Sequence, residues 1–259
     1  MIARAEARVR SIPVITRANS RFDRYRTEPS HEVRRTDVKE DKTLAQLKEA
    51  FRNFNFETKG KEKSDKDIAF NYEKALLLVK TLNYNARDIE NFGIAILEFR
   101  DYPEFGFCAG IFLSALINNG SERDYVINTK AFGDHVEIHC FGFRNTKNII
   151  VNGGLGVSIG DFMESGSIVI NGNAGISIGQ QMKDGIITIN GNARVYVGFY
   201  MEGGKVIVNG NAGKGVGHVI TGGEIHLNGT YESISELICG GRIYHKGKLI
   251  AGKEDGELL

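Results

Sequence analysis

The chain has no tryptophan and only three prolines and three cysteines among its 259 residues. Cys108, Cys140 and Cys239 lie far apart, are odd in number and form no C-x-x-C pair. A disulfide framework and a clustered zinc or iron–sulfur site are therefore not expected, and a reducing cytoplasm is the expected compartment. Long hydrophobic runs are missing as well. The longest, FGFCAGIFLSALI at 105–117, falls short of the ~20 apolar residues a membrane-spanning helix requires. No apolar signal segment with a cleavage site opens the sequence, so no membrane association is expected. Nor does one sign of charge dominate. Thirty-three basic residues stand against 32 acidic ones, net +1, which gives no global field to gather nucleic acid or an anionic surface.

Glycine, by contrast, is abundant at 32 residues, without the triplet period of collagen. Three regions of different texture surround it. In the first 36 residues, nine arginines (Arg4 to Arg35) against four acidic residues give a local charge of +5. Residues 1–40 read as an Arg-rich arm or disordered tail. A nucleic-acid arm is disfavoured by the lack of aromatic–basic interleaving, and the acidic residues weaken a transit peptide.

Residues 41–124 read as a helical capping or interaction domain. TLAQLKEAFRNF sets Thr43 and Gln46 in capping-box spacing and places Leu44, Leu47, Phe51 and Phe54 on one face. The polar link KGKEKSDKD (59–67) leads into IAFNYEKALLLVKTL (68–82), and Asn85 with Asp88 opens ARDIENFGIAILEF (86–99). Segment 104–120 is apolar nearly all round, which predicts burial, and it ends on Asn119-Gly120, a helix C-terminus. Cys108 within it reads as a small core residue.

From about residue 125 the texture becomes β-rich. Asn-Gly pairs start at Asn152, Asn171, Asn190, Asn209 and Asn228, nineteen residues apart each time. At that period Ile149, Ile168, Ile187, Val206 and Ile225 form one column, and Val151, Ile170, Ile189, Val208 and Leu227 another. A second strand contributes Ile159, Ile178, Val197 and Val216, with Val157, Ile176 and Val195 before it. A further column reads Met163, Met182, Met201, Ile220, Cys239. Such self-similarity predicts a solenoid whose coils stack at about 4.8 Å, aliphatic columns inside and asparagines laddered at a corner. The fold class is α+β multidomain: an N-terminal helical domain followed by a right-handed parallel β-helix with 19-residue coils over 125–252, then a charged tail at 253–259.

The same repeat explains GVSIG (156–160) and GISIG (175–179), two copies of the G-x-S-x-G of serine hydrolases. Ser158 and Ser177 share a column with Tyr196, Gly215 and Ile234, and read as mid-strand residues between corner glycines rather than nucleophiles. GNAGKGVG (210–217) lacks the Gly-Lys-Ser/Thr ending of a phosphate loop, so its glycines also belong to the repeat.

Within each coil glycines recur as Gly, two residues, Gly, three residues, Gly: 153/156/160, 172/175/179 and 210/213/217. Arg194 replaces the middle glycine of the third coil, and Glu232 and Glu236 stand in the fifth. With the trailing M-x-G-G at 201–204, residues 145–252 resemble the GXGXG family of β-helical domains. That family comprises the C-terminal domain of the glutamate synthase large subunit and the β-helical subunit of formylmethanofuran dehydrogenase. The resemblance implies a right-handed β-helix serving as a scaffold for catalytic domains that carry flavin, iron–sulfur or metal chemistry. It implies no catalytic residue and no cofactor within the repeat itself.

Three surface features call for an explanation. The outward column Ile150, Val169, Thr188, Ile207, His226 is apolar, which predicts a cover, either the chain's own helices or a partner. In the third coil Arg194, Tyr196, Phe199 and Tyr200 stand where neighbouring coils have Gly, Ser and Gln, a composition typical of an interface hot spot. HVEIHC (135–140) alternates, setting His135, Glu137 and His139 on one strand face. Its histidines are about 13 Å apart along a strand, too far for one ion, and a solvated polar face is the reading.

The function expected is a non-catalytic β-helical scaffold or interaction subunit of a multisubunit oxidoreductase or amidotransferase-type enzyme, with a protein partner or a homo-oligomer. A self-assembling structural protein is the alternative. An enzyme, hydrolase or acyltransferase, is disfavoured: hexapeptide acyltransferase coils run in eighteens, and His218 has no evident partner.

Overall fold

The computed structural model describes residues 41–60, 63–133, 137–254 and 257–258. The Arg-rich arm expected over 1–40 and His135 lie outside the described residues. Four helices come first: α1 (Lys42–Arg52), α2 (Asp65–Val79), α3 (Ala86–Ala95) and α4 (Phe105–Asn119). A tight turn of helix, Ile96–Phe99, prolongs α3.

Local capping sets the helix starts. The first cap is Asp41, whose carboxylate accepts from Leu44 N–H at 2.8 Å, rather than the expected Thr43. Asp41 is two residues closer to the chain start, and its charge suits the positive helix end. Helix α2 begins inside the stretch read as a polar link, because Ser64 and Asp67 close a capping box there. Asn85 and Asp88 form the box expected for α3.

Helix α4 carries the module. From Phe105 to Ile117 nearly every side chain is buried, as its all-round apolarity predicts. It lies against segment 137–143 of the solenoid. A Cβ on Gly110 would fall 1.7 Å from His139 O, so only glycine permits this approach. Ser114 Oγ accepts from Gly142 N–H at 2.8 Å, and Asn118 Nδ2 donates to Phe143 O at 3.0 Å. Around α4 gather Phe51, Phe54, Phe92 and Phe99, with ring centroids 5.2–5.7 Å apart in the pairs Phe51–Phe99, Phe51–Phe112, Phe54–Phe112 and Phe92–Phe112.

The solenoid strands are β1 (Asp124–Asn128), β2 (Asn148–Asn152), β3 (Ser167–Ile170), β4 (Ile186–Ile189), β5 (Lys205–Val208), β6 (Glu224–Leu227) and β7 (Arg242–His245), followed by β8 (Lys248–Glu254) and β9 (Glu257–Leu258). They hydrogen-bond in chain order, and β1 to β7 are parallel. From β2 to β6 each partner is nineteen residues on, and the columns Ile149 to Ile225 and Val151 to Leu227 face inward as expected. The Asn ladder forms too: Asn152, Asn171, Asn190, Asn209 and Asn228 each donate Nδ2–H to the Oδ1 of the rung before, and Asn128 begins the series.

Both ends break the period. The first coil spans 24 residues from Asp124 to Asn148, and Tyr125 and Ile127 begin the inward columns. The last spans eighteen, from Glu224 to Arg242. One residue is missing between Tyr231, which pairs with Ala212, and Ile234, which pairs with Val216. Consequently Ile238, not Cys239, sits opposite Ile220, and Ile234 joins the inward Val216 column instead of the Ser158 column. Cys239 is exposed.

The corner before that inward column also departs from expectation. Ser158, Ser177 and Tyr196 have φ of 58°, 58° and 61°, and Gly215 follows at 70°. A left-handed residue reverses the alternation that strands keep. Val157, Ile176 and Val195 are therefore turned out to half-exposure. Leu155, Ala174, Ala193 and Ala212 are the buried residues on that side, bridged from coil to coil. The serines are corner residues, not mid-strand ones.

Different elements close the two ends. Helices α3 and α4 cover the first coil: Gly93 of α3 meets Ile127, and Asn128 donates to Glu90. At the other end β7 turns back through Lys246 (φ 50°) and Gly247 (φ 80°), the two positive angles of a tight hairpin, and β8 pairs antiparallel with it. The outward row Ile150, Val169, Thr188, Ile207, His226 is half-buried, and among the described residues no helix packs extensively along β2–β6. The expected cover by the helices is thus not made, because they dock on the solenoid's end. Among the described residues no helix is long and apolar enough to cross a membrane.

Candidate functional site

The corner that carries the left-handed column presents two clusters, one open and one beneath α2. In the third coil Tyr196 and Tyr200 both adopt positive φ, 61° and 52°. A side chain in that region costs roughly 1–2 kcal/mol. The backbone aims both rings outward, and they stay 43 % and 44 % exposed. Phe199 lies between them, its centroid 5.7 Å from Tyr196 and 4.4 Å from Tyr200.

His218, one coil on, stacks on Phe199 at 5.5 Å and 13°, and approaches Tyr196 at 5.8 Å. Its Nδ1 stands 2.9 Å from Ser235 Oγ, a partner invisible before the one-residue deletion is known. Leu237, 57 % exposed, borders Val219 at the far edge of the group. Arg194 is exposed and pairs with no carboxylate of a described residue. The structure therefore brings Tyr196, Phe199 and Tyr200 together as one aromatic group, adds His218, and leaves Arg194 exposed on the same coil, with no carboxylate partner among the described residues.

Beneath the start of α2 lies the second cluster. Asp65 accepts from Gln180 Nε2 at 3.1 Å and from Gln181 Nε2 at 2.8 Å, tying α2 to the second coil. Below them Asp161 is only 3 % exposed, and its Oδ1 has no hydrogen-bond partner. Burial pushes its pKa well above the usual carboxylate range, against the pull of the Ser158 hydroxyl and with a smaller push from Asp65. Burial thus favours the protonated form of Asp161 and weakens it as a base towards the Ser158 hydroxyl. Ser177 hydrogen-bonds through its side chain to no described residue. Among the described residues neither G-x-S-x-G serine hydrogen-bonds to a histidine, the usual activating base of such a nucleophile.

The remaining candidates resolve into structural roles. Residues 137–140 are not a strand: His139 Nδ1 accepts from Val157 N–H at 3.1 Å, and burial lowers its pKa. Glu137 is exposed while Ile138 and Cys140 are buried, and burial raises the Cys140 thiol well above its usual value. Among the described residues no three His, Cys, Asp or Glu side chains gather as metal ligands. On the outer face of β5–β7, Glu224 meets Lys205 at 2.8 Å, His226 at 2.9 Å and Arg242 at 2.9 Å. Hydrogen bonds from Lys205 and His226 pull its pKa down to about 2. This network staples the last three coils.

Asp161 and Glu224 escaped the sequence reading. Each stands in a column with no shared residue type, Asp161 with Gln180, Phe199 and His218, and Glu224 with Ser167, Ile186 and Lys205, and a column pattern reports only repetition. No protein-family profile matches the chain, and no curated protein matches it at a significant level.

Proposed function

We propose that the chain is a non-catalytic β-helical interaction subunit, serving a cytoplasmic multisubunit oxidoreductase or amidotransferase-type enzyme. The observation that carries this reading is the exposed aromatic group of Tyr196, Phe199 and Tyr200. Left-handed backbone at Tyr196 and Tyr200 holds those two rings in solvent, with the half-buried Phe199 between them, at positions where the first two coils have Ser158, Asp161 and Phe162 or Ser177, Gln180 and Gln181. Clustered aromatics with an exposed arginine on the same coil are the composition of binding hot spots. The charge arrangement favours a partner that offers a carboxylate to Arg194. The enzyme class rests on the GXGXG-like glycine spacing alone.

A self-assembling structural protein is the second reading. End-to-end growth needs an open parallel edge. Against it stand the helices over the first coil and the antiparallel hairpin after β7.

A mild affinity purification of the chain from its native source tests the proposal, run beside a Tyr196→Ser/Tyr200→Ser variant. Stoichiometric recovery of a flavin, iron–sulfur or molybdenum/tungsten enzyme with the native chain, and its loss with the variant, is the expected outcome. Recovery of the chain alone as a discrete oligomer overturns it.

A further inference from the structure

The five Asn-Gly pairs of the ladder are one dipeptide in different hydrogen-bond settings. Asn152, Asn171, Asn190 and Asn209 each donate to the rung before and accept from the rung after, at 2.7–3.0 Å. Asn228 is the last rung. It donates to Asn209 Oδ1 at 2.7 Å, but its own Oδ1 accepts from no described residue, because Lys246 and the hairpin turn follow where a sixth asparagine would stand. The glycine amides differ in the same sense. Gly191 and Gly210 N–H donate across coils to Gly172 O and Gly191 O at 3.0 Å, whereas Gly229 N–H, like Gly153 and Gly172 N–H, donates to no described residue, so Gly229 alone combines a free amide with a last-rung asparagine. Asn228 is also exposed.

We propose that Asn228 is a site of spontaneous self-modification, the one ladder asparagine that the fold leaves open to succinimide formation. The Gly229 amide gives its proton to solvent base, and its nitrogen attacks Asn228 Cγ. The new N–Cγ bond closes a five-membered imide as the Cγ–Nδ2 bond breaks, and ammonia leaves. Water then adds to either imide carbonyl, yielding aspartate or isoaspartate; no electrons are exchanged. In the inner pairs the attack requires Cγ to leave two ladder bonds, and at Gly191 and Gly210 the nucleophilic nitrogen must also leave its own.

The product has a structural consequence. A carboxylate replaces the Nδ2–H donor, so Asn209 Oδ1 faces negative charge instead of a hydrogen bond. Isoaspartate also lengthens the backbone at a corner where even a Cβ on Gly229 would fall 2.3 Å from Gly210 O. Both changes loosen the last parallel coil beside the hairpin that closes it.

The test is peptide mapping by mass spectrometry of the intact chain during incubation in mildly alkaline buffer, folded and in urea. In the folded chain residue 228 is expected to convert about tenfold faster than Asn152, Asn171, Asn190 or Asn209, which is ~1.4 kcal/mol in barrier. In urea the five rates should converge. Equal rates in the folded chain overturn the proposal. So does a faster inner pair, or a lead for residue 228 that persists unchanged in urea, since the cause would then be local sequence.

Discussion

Gly198→Ala is a sharp probe of the solenoid core. Gly160, Gly179, Gly198 and Gly217 end the glycine pattern of successive coils, all at φ of 70–72°. Each also receives a side chain from the strand two coils on. A Cβ on Gly160, Gly198 or Gly217 would fall 2.4, 2.4 or 2.5 Å from the Cδ1 of Ile187, Ile225 or Ile243. At Gly179 the opposing residue is Val206, which has no δ-methyl, and the distance is 3.1 Å. Placing alanine in a left-handed position costs roughly 1–2 kcal/mol. Overpacking a filled core adds about 1–3 kcal/mol. Gly198→Ala should therefore lose about 2–5 kcal/mol, and Gly179→Ala only the conformational part, about 1–2 kcal/mol.

Ile225→Val alone should cost ~0.5–1.5 kcal/mol. Combined with Gly198→Ala it removes the clashing methyl, so the double variant should be more stable than additivity predicts by about 1–3 kcal/mol. Urea unfolding with unchanged slopes measures all four corners of the cycle. Equal losses at Gly179 and Gly198, or an additive cycle, would refute the packing argument. The glycines would then be required for their backbone angle alone.

Two further substitutions test the charged groups. Glu224 has a folded pKa of about 2 against 4.5 for the free group, so its contribution is fully present above pH 4.5 and fades as pH falls towards 2. Glu224→Gln should cost about 1–2 kcal/mol at neutral pH, after discounting for solvent screening, and the gap to the native chain should close in acid when unfolding is followed from pH 7 downward. Asp161 has the opposite sign: its raised folded pKa contributes stability that is full below the unfolded value and declines as pH rises towards the folded one. Asp161→Asn should flatten that decline, so its Tm relative to the native chain should rise with pH; a constant difference across pH would show that Asp161 does not titrate between the two states.

The sequence made the repetitive part of the fold legible because stacking demands like on like. Ile149 to Ile225 and the asparagine ladder could be read at a fixed period, and so could the burial of α4 from its all-round apolarity. What failed were the points where one residue changes everything downstream. A single left-handed residue at Ser158, Ser177 or Tyr196 turned Val157, Ile176 and Val195 outward. A one-residue deletion after Tyr231 brought Ile234 and Ile238, both half-buried, opposite Val216 and Ile220 and moved Cys239 out. The helical module packs on the end of the solenoid through Gly110 and Ser114, contacts that no periodicity announces. The aromatic group was visible because Tyr196, Phe199 and Tyr200 stand where the coil before has Ser177, Gln180 and Gln181. His218 and Asp161 act through neighbours in other coils or in α2, which a column read alone does not supply.

Photo-crosslinking in the native cell tests the central claim most directly, with a benzophenone amino acid placed at position 196 or 200 and, as control, at 207 on the outer face of β5. Crosslinks from 196 and 200 to one and the same other polypeptide, with none from 207, are the predicted result. Crosslinks from 207 alone, or from 196 and 200 only to further copies of this chain, would contradict it.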